Sequence, residues 1–290
     1  MKVISINLGS LITRWVIINE KYEILESGVF NTHFHNFNPD VTLMWENIYN
    51  KISNYKNDVD SICISTPGIV DHKSGEIIVN DTFKNYEHFN IKSFLREKGF
   101  KNIFVENDAN CAILSEHLLE PVKSANDVAM IIIRRFGIGG GYIVNNHLHR
   151  GAHLWGGEVG RIFIKGEQWE FSGSINALFK QLNRIKGSKL SYDDFFDNIH
   201  DPKYRVIFEE WLLTVALGVI NVIYIIDPEL IVIGGKFIQN ERFDLNLLIE
   251  KIKENIEPSL FSKLKIIKSK HGANSSLIGA ASLYFNPLIN

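Results

Sequence analysis

The chain is poor in several things that would have narrowed its chemistry at once. Two of its 290 residues are cysteine, Cys63 and Cys111. Neither lies in a CxxC-type pair, which argues against a disulfide framework and against a cysteine-held zinc site. Two lone thiols fit a reducing, cytoplasmic setting. Neither sign of charge is in surplus: Lys and Arg total 31, Asp and Glu 33, for a net charge of -2. That leaves no electrostatic case for nucleic acid or for an anionic membrane surface as a partner. Long apolar runs are also missing. The longest uncharged run, Trp211–Ile226, falls short of the roughly 20 apolar residues of a membrane span. It contains Thr214 and Asn221 and stops at Asp227-Pro228, so it reads as a buried core helix. The opening MKVISINLGS has no apolar signal region with a small-residue cleavage site.

What is present is the composition of a soluble globular protein, 45% hydrophobic and 22% charged. The length suits one large domain or two ordinary ones. Lys2–Asn7 and Ile12–Asn19 are rich in β-branched residues around Leu8-Gly9-Ser10 and read as paired strands; Glu23–Thr32 reads as a third. A helical spacing over Val41–Ser53, a strand at Asp60–Ser65, a helix at Ile91–Lys98, a strand at Asn102–Glu106 and a helix at Asn107–Leu119 follow. The second half repeats this order without repeating the residues. Strands are expected at Val128–Ile133, Tyr142–Asn145, His147–Arg150, Leu230–Ile233 and Leu264–Lys268. Helices are expected at Ser174–Leu182, Ser191–Asn198, Tyr204–Ile226, Leu245–Ile256 and Ser275–Phe285. Two α/β halves are therefore expected. One is residues 1–120 with the C-terminal helix 275–290, and the other is 121–274, with the boundary at the polar Glu120–Asn126. Halves of this type leave a cleft, and ligands bind outside the carboxyl ends of such strands.

Glycine concentrates in one stretch, Arg134–Arg161. It holds Gly137, Gly139, Gly140, Gly141, Gly151, Gly156, Gly157 and Gly160 out of 21 in the chain. Such density costs backbone entropy and contributes nothing to a core, so backbone there has to approach something closely. A phosphate group cradled by successive N–H groups is one reading, and a glycine-rich hairpin is the other.

The turns at strand ends carry a resemblance. Thr66-Pro67-Gly68-Ile69-Val70-Asp71, Val105-Glu106-Asn107-Asp108-Ala109-Asn110, Gly137-Ile138-Gly139-Gly140-Gly141, Gly156-Gly157-Glu158-Val159-Gly160, Asp227-Pro228-Glu229 with Gly234-Gly235, and Ser276–Ala281 occur in the order and spacing of the ROK family. The chain resembles that family over nearly its whole length, and within it the branch without zinc, similar to N-acetylmannosamine kinase or glucokinase. The resemblance implies two actin-like (ribonuclease H-like) α/β domains with a ligand cleft between them. It implies ATP-dependent phosphorylation of a hexose or amino-sugar hydroxyl, with Mg²⁺ and without zinc, in a cytoplasmic homodimer. By position, Asp108 is the general base. Gly68, Asn80, Asn107, Glu158, Arg161 and Glu170 hold the sugar. Asn7, Gly9, Ser10, Gly137, Gly139, Gly140, Gly234 and Gly235 flank the nucleotide.

Each position also has a plainer reading. Asp108 opens a helix and suits an N-cap or a dipole partner. Glu158 and Glu170 suit ordinary surface acids, Glu170 in a less regular segment, and Gly234-Gly235 a simple turn. The chain departs from the family at Asn7, where an aspartate is usual, at Arg135-Phe136, where Gly-Thr is usual, and at Arg161, where histidine is usual. Arg134 or Arg135 can bring charge to a phosphate or point to solvent, since adjacent strand residues face opposite sides. Three functions follow for testing: a sugar kinase, a sugar-binding protein that has lost phosphoryl transfer, and a repressor. The last is disfavoured because the first strand begins near Lys2, with no helix-turn-helix ahead of it.

Overall fold

The computed structural model describes residues 1–32, 40–83 and 85–286. The last positions of the expected C-terminal segment, 287–290, lie outside them. The described chain divides into two compact units. Unit 1 comprises Met1–Leu119, Arg150–Trp155 and Asn274 onward; unit 2 comprises Glu120–His149 and Gly156–Ala273.

Unit 1 is built on strands β1 (Lys2–Asn7), β2 (Ile12–Asn19), β3 (Ile24–Asn31), β4 (Ser61–Thr66) and β7 (Ile103–Asn107), ordered β3-β2-β1-β4-β7. The first three are antiparallel, whereas β1, β4 and β7 are parallel. The parallel strands read as near-continuous apolar runs because both of their faces are covered. One face carries α1 (Val41–Ile52) and α2 (Ile91–Glu97), with Trp45, Ile48, Ile52 and Leu95 in the core. The other carries α3 (Asp108–Glu116) and α10 (Ser275–Phe285). Gly279 lets those two helices touch: a Cβ there would stand 1.6 Å from the Cys111 carbonyl oxygen. A small hairpin, β5 (Ile69–Asp71) and β6 (Glu76–Val79), follows β4.

Unit 2 repeats this topology. Strands β8 (Val128–Ile133), β9 (Ile138–Val144), β10 (His147–Leu148), β13 (Leu230–Gly234) and β14 (Lys265–Lys268) are ordered β10-β9-β8-β13-β14. Again the first three are antiparallel and the rest parallel. The doubling expected from the order of elements is thus present strand for strand, though no residue repeat accompanies it. Its helices are α4 (Trp169–Gly173), α5 (Ile175–Lys186), α6 (Tyr192–Asp197), α7 (Pro202–Ile226), α8 (Leu245–Asn255) and α9 (Pro258–Phe261), with a short hairpin of β11 (Phe163–Ile164) and β12 (Glu167–Gln168). The long α7 is apolar because it is a core helix: Trp211, Leu212, Val215, Ala216, Val219 and Ile223 are buried in the unit's main cluster. By length and composition alone it would also pass for a membrane span.

Candidate functional site

In unit 1 the parallel order β1-β4-β7 lines up three strand ends. Asn7 lies opposite Ser65, and Thr66 opposite Asn107. Ser65 Oγ donates to Asn7 Oδ1 at 3.4 Å. The loop after β1 is held by Thr32, whose Oγ1 donates to the Gly9 carbonyl at 2.7 Å, and Ser10 is exposed beside it. Past β4 the chain turns at Gly68 with φ of +99°; a Cβ there would sit 2.5 Å from the Val79 carbonyl oxygen. Two asparagines clamp this turn. Asn80 Nδ2 donates to the Pro67 carbonyl at 2.8 Å, and Asn107 Nδ2 to the Gly68 carbonyl at 2.9 Å. Gly68, Asn80 and Asn107 are therefore one cluster, at the ends of β4, β6 and β7.

Asn107 also corrects an expectation about its neighbour. The N-cap of α3 is Asn107 rather than Asp108: its Oδ1 accepts from Ala109 N at 2.8 Å and Asn110 N at 3.2 Å. Asp108 is the first helical residue, so its carboxylate gains from the positive end of the helix. Its carbonyl accepts from Ser276 Oγ at 3.1 Å, which ties the start of α3 to α10. Both acceptor sites of the Asn107 amide are used, leaving a single N–H for any ligand.

In unit 2 the Gly137–Gly141 part of the glycine stretch proves to be the end of a hairpin turn and the start of a strand. Arg134–Gly137 is a hairpin turn closed by Arg134 N donating to the Gly137 carbonyl at 2.9 Å. Gly139, Gly140 and Gly141 lie within β9, opposite Ile132, Ile131 and Met130. Gly140 is required by another backbone: a Cβ there would meet the Gly157 carbonyl at 2.9 Å. All three glycines thus lie in a strand of the hairpin. Because Arg134 and Arg135 occupy the turn, strand alternation does not govern them. Their carbonyls accept from Ile175 N and Asn176 N, so the turn is seated on the start of α5.

Glu170 also differs from expectation. It stands on the single-turn helix α4 and not in an irregular segment. The neighbouring Trp169 is fully buried, in a slot left by Gly218 and Gly173, where a Cβ would meet the indole at 2.0 Å and 2.5 Å. That anchor holds the Glu170 carboxylate beside Gly137 and Gly160, where added Cβ atoms would lie 3.2 Å and 3.4 Å from Oε2. Glu158 and Arg161 pair on the preceding turn, Oε2 to Nε at 3.6 Å, both partly exposed.

A cavity of about 600 Å³ opens in unit 2. The parallel strands β8 and β13 end side by side, with Gly234 opposite Ile132, and just beyond those ends Arg135 and Lys236 enter its wall. Gly235 makes that exit possible. Its φ is +115°, and a Cβ would overlap the Ile133 carbonyl at 2.1 Å. Phe179 and Tyr192, with ring centroids 5.4 Å apart, form the aromatic side. Burial raises the Tyr192 phenol, and the Arg135 charge opposes that shift. Of the two acids in the wall, Asp194 is bound by Ser191 N, Ser191 Oγ and Lys186 Nζ. Phe136 stands 75% exposed, with the Arg135 guanidinium 5.2 Å from its ring centroid.

The sequence model of the ROK family matches residues 3–286. The chain belongs to the ROK family. A β-glucoside kinase of Listeria innocua is 28% identical over 236 residues, covering 77% of this chain and 78% of that protein. A xylose repressor of Bacillus spizizenii is 29% identical over 234 residues, covering 77% of this chain and 60% of the repressor. Among solved structures, a ROK family glucokinase from Streptomyces griseus in complex with glucose and AMPPNP superposes with a TM-score of 0.77 at 21% identity, covering 98% of this chain and 99% of that one. The ROK relatives thus include both kinases and repressors, and the chain spans about three fifths of that repressor.

Within this ROK chain the expected positions fall into separate groups. Asn7, Gly9, Ser10, Gly68, Asn80, Asn107 and Asp108 stand at strand ends of unit 1. In unit 2, Glu170 stands beside Gly137 and Gly160, Glu158 pairs with Arg161, and Gly234-Gly235 directly precede Lys236 of the cavity wall. Sequence reading missed Phe179, Tyr192 and Lys236 in the cavity wall. Only Lys236 had a signal, its place directly after Gly234-Gly235.

Proposed function

We propose that this ROK protein is a sugar kinase that transfers a phosphoryl group from a nucleoside triphosphate to a hydroxyl of a hexose or amino-sugar. The observation that carries the reading is the unit 2 cavity. At about 600 Å³ it has the size of a small-molecule site, with Arg135, Lys189 and Lys236 and the rings of Phe179 and Tyr192 in its wall. Phosphates suit Arg135 and Lys236, and a purine suits the faces of Phe179 and Tyr192. The donor is ATP on this reading, with Gly137, Gly234 and Gly235 letting backbone come near it and Gly139 and Gly140 supporting that edge from β9. Mg²⁺ enters on the phosphates, which supply most of its oxygen ligands. Asn7 offers it a neutral carbonyl oxygen, and Gly9 and Ser10 complete that turn.

Asp108 is the general base. Asn107 does the capping in its place, and the Asp108 carboxylate accepts the proton of the attacking hydroxyl as that oxygen bonds to phosphorus. Asn80 and Asn107 each retain one amide N–H for a sugar oxygen once their clamps are made. Glu158 and Glu170 accept from ring hydroxyls, and Arg161 holds Glu158 in place. The chain acts in the cytoplasm as a homodimer, and structural zinc has no part in it.

A second reading, sugar binding without transfer, is favoured by Asn7. A neutral amide stands at the end of β1, and its oxygen already accepts from Ser65. Isothermal titration separates the two. The kinase reading expects Mg-AMPPNP to bind with micromolar to millimolar affinity and to weaken at least tenfold in Arg135→Gln. Sugar binding with no detectable nucleotide binding would establish the second reading instead.

A further inference from the structure

Behind the Asn107–Asp108 turn lies a buried ion pair with no assigned role. Glu106 ends β7 at 1% exposure, and its carboxylate is fully divided among three donors. Oε1 accepts from Asn107 N at 2.9 Å and from Asn110 Nδ2 at 2.9 Å; Oε2 accepts from Arg150 Nε at 2.7 Å. The Arg150 side chain is 11% exposed. Arg150 opens the short segment Arg150–Trp155, which belongs to unit 1 although the chain on both sides of it belongs to unit 2. A buried ion pair of this kind is weak evidence for stability, since apolar residues of equal size do as well. Its geometry points to another use. One carboxylate fixes the amide of the cap residue and the first turn of the helix that bears Asp108, and the same carboxylate is fixed by a cation from a distant part of the chain.

We infer that Glu106 and Arg150 are positioning residues that set the orientation of the Asn107–Asp108 turn. The inference rests on the reading of Asp108 as the base. Other charged groups face the pair. Asp71 and Lys73 flank His72, and Lys92 Nζ donates to the His72 carbonyl at 2.6 Å. His72 is kept neutral to lower pH by burial, with the Arg150 charge adding to the effect. His72 Nδ1 is buried with no partner, so it does not share the load of Glu106.

The test uses hydrogen-bond arithmetic. In Glu106→Gln one arm of the side chain becomes a donor, and it faces either Arg150 Nε or Asn107 N, so one contact turns repulsive. In Arg150→Gln the carboxylate stays buried and loses its cation. The double variant removes both faults. The glutamine introduced for Arg150 carries its oxygen on the same side-chain position as Arg150 Nε. It accepts from the glutamine introduced for Glu106, whose own oxygen still serves Asn107. Each single variant is expected to lose at least tenfold in kcat per folded molecule, with the sugar KM changed less than threefold. The double variant is expected to return to within threefold of the parent. Amide exchange at Ala109 and Asn110 should quicken at least tenfold in the singles and recover in the double, whether or not turnover is seen.

If the parent shows no turnover, the kinase reading falls while the exchange result still decides the inference. Singles that lose only thermal stability, with kcat and exchange unchanged, overturn it. So does a double variant no better than the worse single.

Discussion

Replacing Gly68 with alanine separates two costs that glycine conceals. The first is conformational: φ of +99° strains any residue with a Cβ by roughly 1–3 kcal/mol. The second is steric. The new Cβ would sit 2.5 Å from the Val79 carbonyl oxygen and 2.7 Å from Asn80 Nδ2, and backbone cannot swing away. Overpacking of this kind costs roughly 1–3 kcal/mol. Gly99 isolates the first cost within the same unit. Its φ is +90°, but the nearest atoms to its Cβ would be those of the flexible Lys56 side chain, the closest being Nζ at 3.0 Å. The lost unfolded-state entropy of glycine is common to both substitutions and cancels. Gly68→Ala should therefore destabilise unit 1 by about 1–3 kcal/mol more than Gly99→Ala. Urea denaturation, read as a shift of midpoint at unchanged slope, measures it. The Asn80 clamp on Pro67 must move as well, so the sugar KM should rise at least tenfold in Gly68→Ala and stay put in Gly99→Ala. Equal destabilisation by the two substitutions, within about 0.5 kcal/mol, is below the expected steric cost and would refute the claim that the turn is built against fixed backbone.

Three further outcomes are expected. Burial pushes the Cys63 thiol up to about 12 and the Cys111 thiol well above its ordinary value, so neither should react with a thiol reagent at pH 8 until the protein unfolds, when both should. The Ser191 backbone N–H, with the Ser191 hydroxyl and Lys186, holds the Asp194 carboxyl down to about 2. Its folded value lies below the unfolded one near 3.9, so the capping box at the start of α6 is present at neutral pH and lost as pH falls from about 4 to 2. The Ser191 amide shift should titrate there, and a midpoint near 4 would contradict the pairing. Trp211 Nε1 donates to the Gly173 and Ser174 carbonyls at 3.0 Å and 3.2 Å, so Trp211→Phe should cost about 1–3 kcal/mol in a thermal melt.

Much of the fold was legible because its signals are local. Strands such as Val128–Ile133 and Leu230–Ile233 are unbroken apolar runs, and the repeated order of elements betrayed the doubled topology. The short elements were not legible. Trp169–Gly173 is a single turn whose helicity comes from burying Trp169 between Gly173 and Gly218, which is a tertiary fact. Asn107 and Asp108 are adjacent and both suit a cap, so only the backbone angles could award the role to Asn107. The glycines of the central stretch were visible, but their partner, Gly157 against Gly140, lay across a fold that spacing does not encode. The Glu106–Arg150 pair is separated by 44 positions and left no pattern at all. Phe179 and Tyr192 were likewise read only as helix residues, and they gained a common cavity only when α5 and α6 packed.

The central claim is phosphoryl transfer with Asp108 as base. The direct measurement is sugar-dependent ADP release over a panel of hexoses and amino-sugars with Mg-ATP, in the parent and in Asp108→Ala. The account predicts that at least one sugar drives release in the parent and that the substitution lowers kcat by roughly 10²–10⁴-fold, while sugar affinity changes little. If no sugar raises ADP release above the Asp108→Ala control, the chain is not a kinase of this class.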